Sequence, residues 1–296
     1  MLTLDHVYYV IGAFMMIFTL YTLLDKDHQH RWGTALFWFL YGLTFLLGGV
    51  LPSAVTGVMV VVMTAIVGFK QLGTGNYHEA SRSVRMDMAR KFGNKIFVPA
   101  LMVGIVTFLI AKFTSLGALV GLGIGSLIAL ALAMILTREK PGQTFNEGRR
   151  LLDAIGWAAI LSQFLAALGF LFDKAGVGKV VAGMVSSVVP SDSALAAVVA
   201  YCFGMMLFTM IMGNAFAAFA VITTGIGLPL VIKVHGADPA IAGVLAMLSG
   251  YCGTLITPMA ANFNIVPAAL LEMKDKNGVI KAQLMLAIPM IFINII

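Results

Sequence analysis

The sequence predicts an all-α, polytopic integral membrane protein with about eight spans, a re-entrant hairpin and a broken helix. Three observations carry that expectation. Hydrophobic residues make up 60% of the 296 and charged residues only 11%, with a mean hydropathy of +0.98, whereas soluble domains carry about 25% charged residues. The apolar residues fall in long runs without charge, and about 20 such residues cross a bilayer as a helix. The Lys and Arg residues sit in the short breaks between those runs. A soluble enzyme, a disordered chain and a disulfide scaffold are excluded by this composition. The formal charge of +6 and pI near 9.4 read as topology signals and membrane-surface contacts, because no basic face on a soluble module exists for nucleic acid.

Cutting the chain at its charges places the elements in order. Val7 to Leu24 is the first span, expected to be retained because Met1 to His6 lacks a positive leader and carries Asp5. Trp32 to Phe69 is twice the needed length and is split by Gly48-Gly49 and Pro52-Ser53, so it reads as two helices and a tight turn. Tyr77 to Phe92 mixes Val84, Met86, Met88 and Phe92 with Arg82, Arg85, Arg90 and Lys91, which suggests an amphipathic surface helix. Ile96 to Ala111 and Phe113 to Thr137 give a fourth and fifth span, and Ala154 to Phe172 a sixth.

The remainder differs in kind. Ser193 to Ile232 is uncharged, has twice the length of a span and is interrupted by Gly213-Asn214; Pro239 to Leu271 contains Gly250, Gly253, Pro258 and Pro267. A last run, Ala282 to Ile296, follows a charged loop. Residues 1–137 therefore read as scaffold helices and 138–296 as a transport unit, with the hairpin at 193–232 and the broken helix at 239–271. Placing alternate loops on one side gathers all 19 Lys and Arg except Lys112, Lys174, Lys179 and Lys233. That side is expected to be cytoplasmic, which puts the N-terminus outside.

The apolar runs contain no carboxylate, Lys, Arg or His away from their ends, so a proton relay, haem ligation and an intramembrane catalytic residue all lack a carrier. The chain is not expected to be an enzyme. His6, His28, His30, His78 and His235 are all placed in loops, with His28 and His30 on an exposed one. Cys202 and Cys252, each inside an uncharged run, read as buried small hydrophobes.

What remains is backbone chemistry. Helices interrupted in a membrane expose amides and carbonyls that bind solutes and ions, and such backbone is tolerated only inside protein or around a cavity. The first interruption, Gly213-Asn214-Ala215, is read as the tip of a re-entrant hairpin whose second arm presents helix N-terminal amides to a carboxylate. The second runs from Ser249 to Pro258, with Asn262 and Asn264 beyond it; Gly250 and Gly253 permit non-helical dihedrals and Pro258 removes a donor. Freed carbonyls and hydroxyls are hard ligands suited to an alkali cation. The candidate substrate site is thus Gly213, Asn214, Ala215, Thr257, Pro258, Asn262 and Asn264. The candidate cation site is Asn214, Gly250, Gly253 and Thr254, with no metal expected beyond a sodium ion.

A helix at Ala154 to Phe172, an Asn-tipped hairpin and a broken helix in that order resemble one repeat of the ion transporter superfamily, which includes sodium/dicarboxylate symporters. In that group a Ser-Asn-Thr type tip faces a Gly-x-Gly-Thr and Pro-Asn type break. Here Gly213 and Ala215 replace the two hydroxyl residues, Gly253-Thr254 is retained, and Asn262 or Asn264 takes the place of the Pro-Asn residue. Nearly the whole chain is also similar to a bacterial membrane family of unknown function that resembles one subunit of a two-protein 5-oxoproline (pyroglutamate) transporter. The resemblance implies a subunit of a secondary transporter for a small carboxylate, cation-coupled with Na+ as the coupling ion, in the bacterial inner membrane. Its expected partners are the small anionic solute, the lipid bilayer, and a second membrane subunit or second copy carrying the other repeat, because this chain shows only one. A competing reading is a membrane-embedded structural or assembly subunit without a substrate site of its own.

Overall fold

A computed structural model describes residues 2–75, 77, 82–190 and 192–296. The described residues are all-α, without a strand, and fall into two compact units, Met1–Ala154 and Ile155–Ile296. Among the described residues, six helical stretches are long and apolar enough to cross a membrane alone: Leu4–Leu24, Met86–Phe113, Ala118–Thr137, Ala194–Met212, Ala215–Val234 and Gly278–Ile295. Pro141–Ile155 and Ala158–Phe172 pass the same test only when taken together, which gives up to seven. The expected eight counts Trp32 to Phe69 as two spans and Pro239 to Leu271 as one, where the helices have only 17, 16 and 17 residues, and leaves out the two arms of the hairpin, each of which is long enough here.

The first unit contains α1 (Leu4–Leu24), α2 (Arg31–Leu47), α3 (Ser53–Gly68), α4 (Arg82–Phe92), a 3₁₀ turn at Gly93–Phe97, α5 (Val98–Phe113), α6 (Ala118–Thr137) and α7 (Pro141–Ile155). Small residues let α1 and α2 approach: a Cβ on Gly12 would lie 2.5 Å from Leu46 Cγ and 3.1 Å from the Gly42 carbonyl oxygen. Gly125 plays the same part between α5 and α6, where a Cβ would lie 2.9 Å from the Val103 oxygen. The expected amphipathic segment is helical from Arg82; residues 78–81, including His78, lie outside the described residues.

Two expectations fail in this unit. His6 is in the first turn of α1 rather than in a loop, with its Nδ1 2.7 Å from Thr3 Oγ1. His28 is buried rather than exposed, and its Nε2 lies 3.2 Å from Asp153 Oδ2. The cause is α7, which charge counting assigned to a loop. Phe145 of α7 packs against Phe14, Phe18 and Tyr21 of α1, which share one face at helical spacing. Arg149 and Asp153, one and two turns further along α7, are then carried into the same interface and buried. The first compact unit runs to Ala154 and so includes this helix.

The second unit contains α8 (Ala158–Lys174), α9 (Val177–Val188), α10 (Ala194–Met212), α11 (Ala215–Ile222) continued by a π-helical stretch Thr223–Val234, α12 (Pro239–Leu255), α13 (Ala261–Leu270) and α14 (Gly278–Ile295). Helix α9 occupies what charge counting treated as a loop. The arms of the hairpin run antiparallel: Tyr201 Oη is 2.8 Å from Thr223 Oγ1, and Gly227 sits where a Cβ would meet the Tyr201 ring at 2.4 Å. Pro229 lies inside the π-helical stretch; a proline cannot donate and its ring crowds the carbonyl four residues back, which the wider turn relieves. Tyr201, Met205, Ala218, Val221, Ile222, Ile226 and Ala246 form the core between these helices. Cys202 and Cys252 are buried free thiols beside Ala287 and Ile291, as their uncharged surroundings suggested.

Candidate functional site

Local chemistry fixes both interruptions of the second unit. Ser193 caps α10, accepting from Ala196 N, and α10 ends at Gly213 with φ +67, where Gly213 N donates to Thr209 O at 2.7 Å. No other residue fits there, since the left-handed conformation penalises a side chain and a Cβ would lie 2.4 Å from Met259 O. The hairpin tip is therefore seated on the backbone of the second break. Asn214 is the N-cap of α11, its Oδ1 accepting from Phe216 N at 2.9 Å and Ala217 N at 3.2 Å.

Helix α12 starts at the Asp238 cap, which accepts from Ala240 and Ile241 N. It remains helical to Leu255, and the break covers 256–260. Gly250 and Gly253 thus do not interrupt the helix, contrary to the reading from sequence. They permit close packing: a Cβ on Gly253 would lie 2.4 Å from Met206 O, and one on Gly250 3.1 Å from Ala215 Cβ. Across the break, Thr257 Oγ1 donates to Met210 O at 2.8 Å. Asn264, fully buried, donates through Nδ2 to Thr254 O at 2.8 Å and Thr257 O at 2.7 Å. Asn264 Oδ1 and Thr209 Oγ1 are buried with no partner among the described residues.

A cavity of about 190 Å³ opens where tip and break meet. Of the candidate residues, Gly213, Asn214, Ala215, Thr254 and Asn262 line it. Gly250, Gly253, Thr257, Pro258 and Asn264 do not; Thr257 and Asn264 hold the break together, and Pro258 is exposed. Tyr251, one turn before Thr254 on α12, and Leu165 of α8 also line it and were not singled out from sequence. The three-residue spacing of Tyr251 and Thr254 was the available signal.

The N-termini of α11 and α13 both border this cavity. The amides of Phe216 and Ala217 are taken by Asn214, so the second arm offers fewer amides than expected. The backbone N–H groups of Ala215, Ala261 and Asn262 have no acceptor among the described residues. No charged side chain of the described residues lines the cavity. The positive ends of two helix dipoles and three amides are thus its main electrostatic features.

A second polar centre lies in the first unit, and sequence reading missed it. Asp153 Oδ2 accepts from the Tyr77 hydroxyl and from Gly75 N at 3.3 Å, in addition to its His28 contact. Arg149 donates from NH1 to Tyr21 O and from NH2 to Asp25 Oδ2, each at 2.8 Å, and lies over the Tyr77 ring. Burial and the Asp153 carboxylate hold the Tyr77 phenol well above its ordinary value. Only the four-residue spacing of Arg149 and Asp153 hinted at a shared face.

Fold and site together define a polytopic, all-α membrane protein whose second unit carries interrupted helices around a small cavity. The chain belongs to the family described as "Protein of unknown function (DUF979)", whose model matches residues 5–296. No curated protein and no solved structure matches it.

Proposed function

We propose that this protein is a membrane subunit of a secondary transporter for a small carboxylate, coupled to a cation such as Na+. The observation that supports this reading most is the meeting of two helix interruptions at one cavity, with unpaired amides of Ala215, Ala261 and Asn262 at its edge. Helix N-termini favour a carboxylate, and an uncharged wall leaves that role to them. Drug-sized pockets run from about 300 Å³ upward, so about 190 Å³ suits a solute of few heavy atoms. From the sequence resemblance, 5-oxoproline is the first candidate. The orphaned acceptor Asn264 Oδ1 and the hydroxyl of Thr209 are oxygen ligands that suit an alkali cation.

One hairpin and one break make half of a two-sided site, so the other half comes from a second subunit or a second copy. The chain expressed alone is expected to insert without transporting, and co-expression with its membrane partner to restore uptake of 5-oxoproline. Robust transport by this protein alone in vesicles would sink the two-subunit arrangement. The same reading puts the N-terminus outside in a bacterial inner membrane. Cysteines at Ser83 and Ser187 test it, since labelling of Ser83→Cys but not Ser187→Cys by an impermeant reagent in intact cells would reverse the topology.

A further inference from the structure

In the first unit the turn between α1 and α2 lies against residues 71–75, which follow α3. Gln29 N donates to Thr74 O at 3.4 Å, Gly73 N donates to Thr34 Oγ1 at 2.9 Å, and a Cβ on Gly73 would lie 2.8 Å from His30 N. The His28 side chain in this turn is fully buried. Both of its ring nitrogens are engaged: Nδ1 accepts from His30 N at 3.3 Å, and Nε2 lies 3.2 Å from Asp153 Oδ2. A nitrogen that accepts carries no hydrogen, so the ring is the neutral tautomer whose hydrogen sits on Nε2 and is donated to Asp153.

The titratable and charged groups around the ring come from every element packed on it. Helix α7 supplies Asp153 and Arg149, the end of α1 supplies Asp25, the chain beyond α3 supplies Tyr77, and the turn itself supplies His30. Lys26 and Asp27 are exposed, and the Arg31 guanidinium lies over the Trp32 ring. Asp25 and Asp153 therefore share one guanidinium, Arg149, and Tyr77 keeps its proton. With a neutral imidazole this cluster holds one negative charge in excess, and a buried charge is costly unless paired. A proton on Nδ1 cancels that excess and turns the Asp153 contact into an ion pair. The same proton sets two N–H groups face to face, on Nδ1 and on His30, so the His30 amide has to move away.

We propose that His28 is a proton-operated latch. Uptake of a proton on Nδ1 fastens the ring to Asp153 and releases the backbone at 29–30 together with residues 71–74, which rest on it. Gly75 and Tyr77 stay anchored on Asp153, which confines the movement to these two stretches. Imidazole is the one side chain whose ordinary titration falls between about pH 5 and 8, so acidification is the signal. The inference concerns the first unit and stands apart from the transport reading of the second.

The full chain in detergent, with isotope-labelled histidine ring nitrogens, is followed by nuclear magnetic resonance from about pH 8 down to about pH 5. The His28 signals are identified by their loss in His28→Gln or in His28→Asn, either variant sufficing. The neutral ring with its hydrogen on Nε2 is expected at the upper end and the doubly protonated ring at the lower. Over the same interval hydrogen exchange at 29–34 and 71–74, corrected for the intrinsic effect of pH, should rise about fivefold, the equilibrium weight of one ordinary hydrogen bond. Exchange in α5 and α6 should stay constant. His28→Gln keeps a donor for Asp153 and should abolish the rise; His30→Gln keeps the main-chain amide and should respond like the unsubstituted chain. A hydrogen on Nδ1 at the upper end, a ring that stays neutral throughout, or exchange that does not rise would each overturn the proposal. So would a response retained by His28→Gln or lost in His30→Gln.

Discussion

The two units solve the same problem in opposite ways. Each must place polar groups inside a mostly apolar body. In the first unit these are ionisable side chains: His28, Arg149 and Asp153 are buried and Asp25 is half-buried, and they bond to one another and to Tyr77. In the second they are backbone groups at helix interruptions, held by the amides and hydroxyls of Asn214, Thr257 and Asn264. Buried charges are tightly coupled to stability because an unpaired one is costly. Interrupted backbone leaves amides open to a ligand without placing a charge inside the body. The contrast predicts that substitutions in the first unit act mainly on folding, and those at the cavity of the second mainly on binding.

The largest effect should come from Asp153→Ala, which strips His28, Tyr77 and Gly75 of a shared buried acceptor. A loss of about 3–5 kcal/mol is expected, measured by thermal or denaturant unfolding in detergent; a loss below one would break the contrast. Gly213→Ala follows. It forces a side chain into the left-handed region and against Met259 O, which should cost roughly 2–4 kcal/mol and dislodge the tip from the break.

Tyr77→Phe should cost about 1.5–3 kcal/mol, the scale of a hydrogen bond to a charged group. It also carries a pH signature. Above the ordinary phenol value of 10.0 the unfolded chain releases the Tyr77 proton while the folded chain keeps it. Stability therefore falls as pH rises beyond that point, and Tyr77→Phe should remove this part of the slope.

Asn214 sharpens the comparison because cap and cavity roles can be separated. Asn214→Ser retains an N-cap oxygen and should leave stability nearly unchanged, while Asn214→Leu should cost about 1 kcal/mol through the lost cap. Both remove the side-chain amide from the cavity wall and should abolish carboxylate uptake. Full transport by Asn214→Ser would make this residue a cap and nothing more. The smallest effect belongs to Asp275, whose carboxyl is held below its usual range by Lys281 and by the Asn277 amide. Its contribution is present above the unfolded carboxylate value and lost as pH falls through the folded one. The pair is fully exposed, so Asp275→Asn should change only the acid limb of the stability curve, and high salt should erase the difference.

Much of the architecture was legible because the physics that sets it is local. An uncharged run in lipid must satisfy its own backbone, which makes it a helix. A left-handed glycine beside an asparagine cap stops one helix and starts the next, so Gly213-Asn214 marked its turn correctly. Pro258 likewise lay inside the second break. Helix α7 was not legible, since charged residues were taken as solvent markers, whereas Phe145 draws its helix onto α1 and brings Arg149 and Asp153 with it.

Distance along the chain explains what remained hidden. Arg149 finds Asp25 across 124 residues and Asp153 finds His28 across 125, and no local pattern encodes such a pairing. The cavity shows the same division. Its location at tip and break follows from glycine and proline chemistry. Which candidates reach it depends on how α12 packs on α10, which turns Asn214, Thr254 and Asn262 toward the space and uses Gly250, Gly253, Thr257 and Asn264 to hold the helices together.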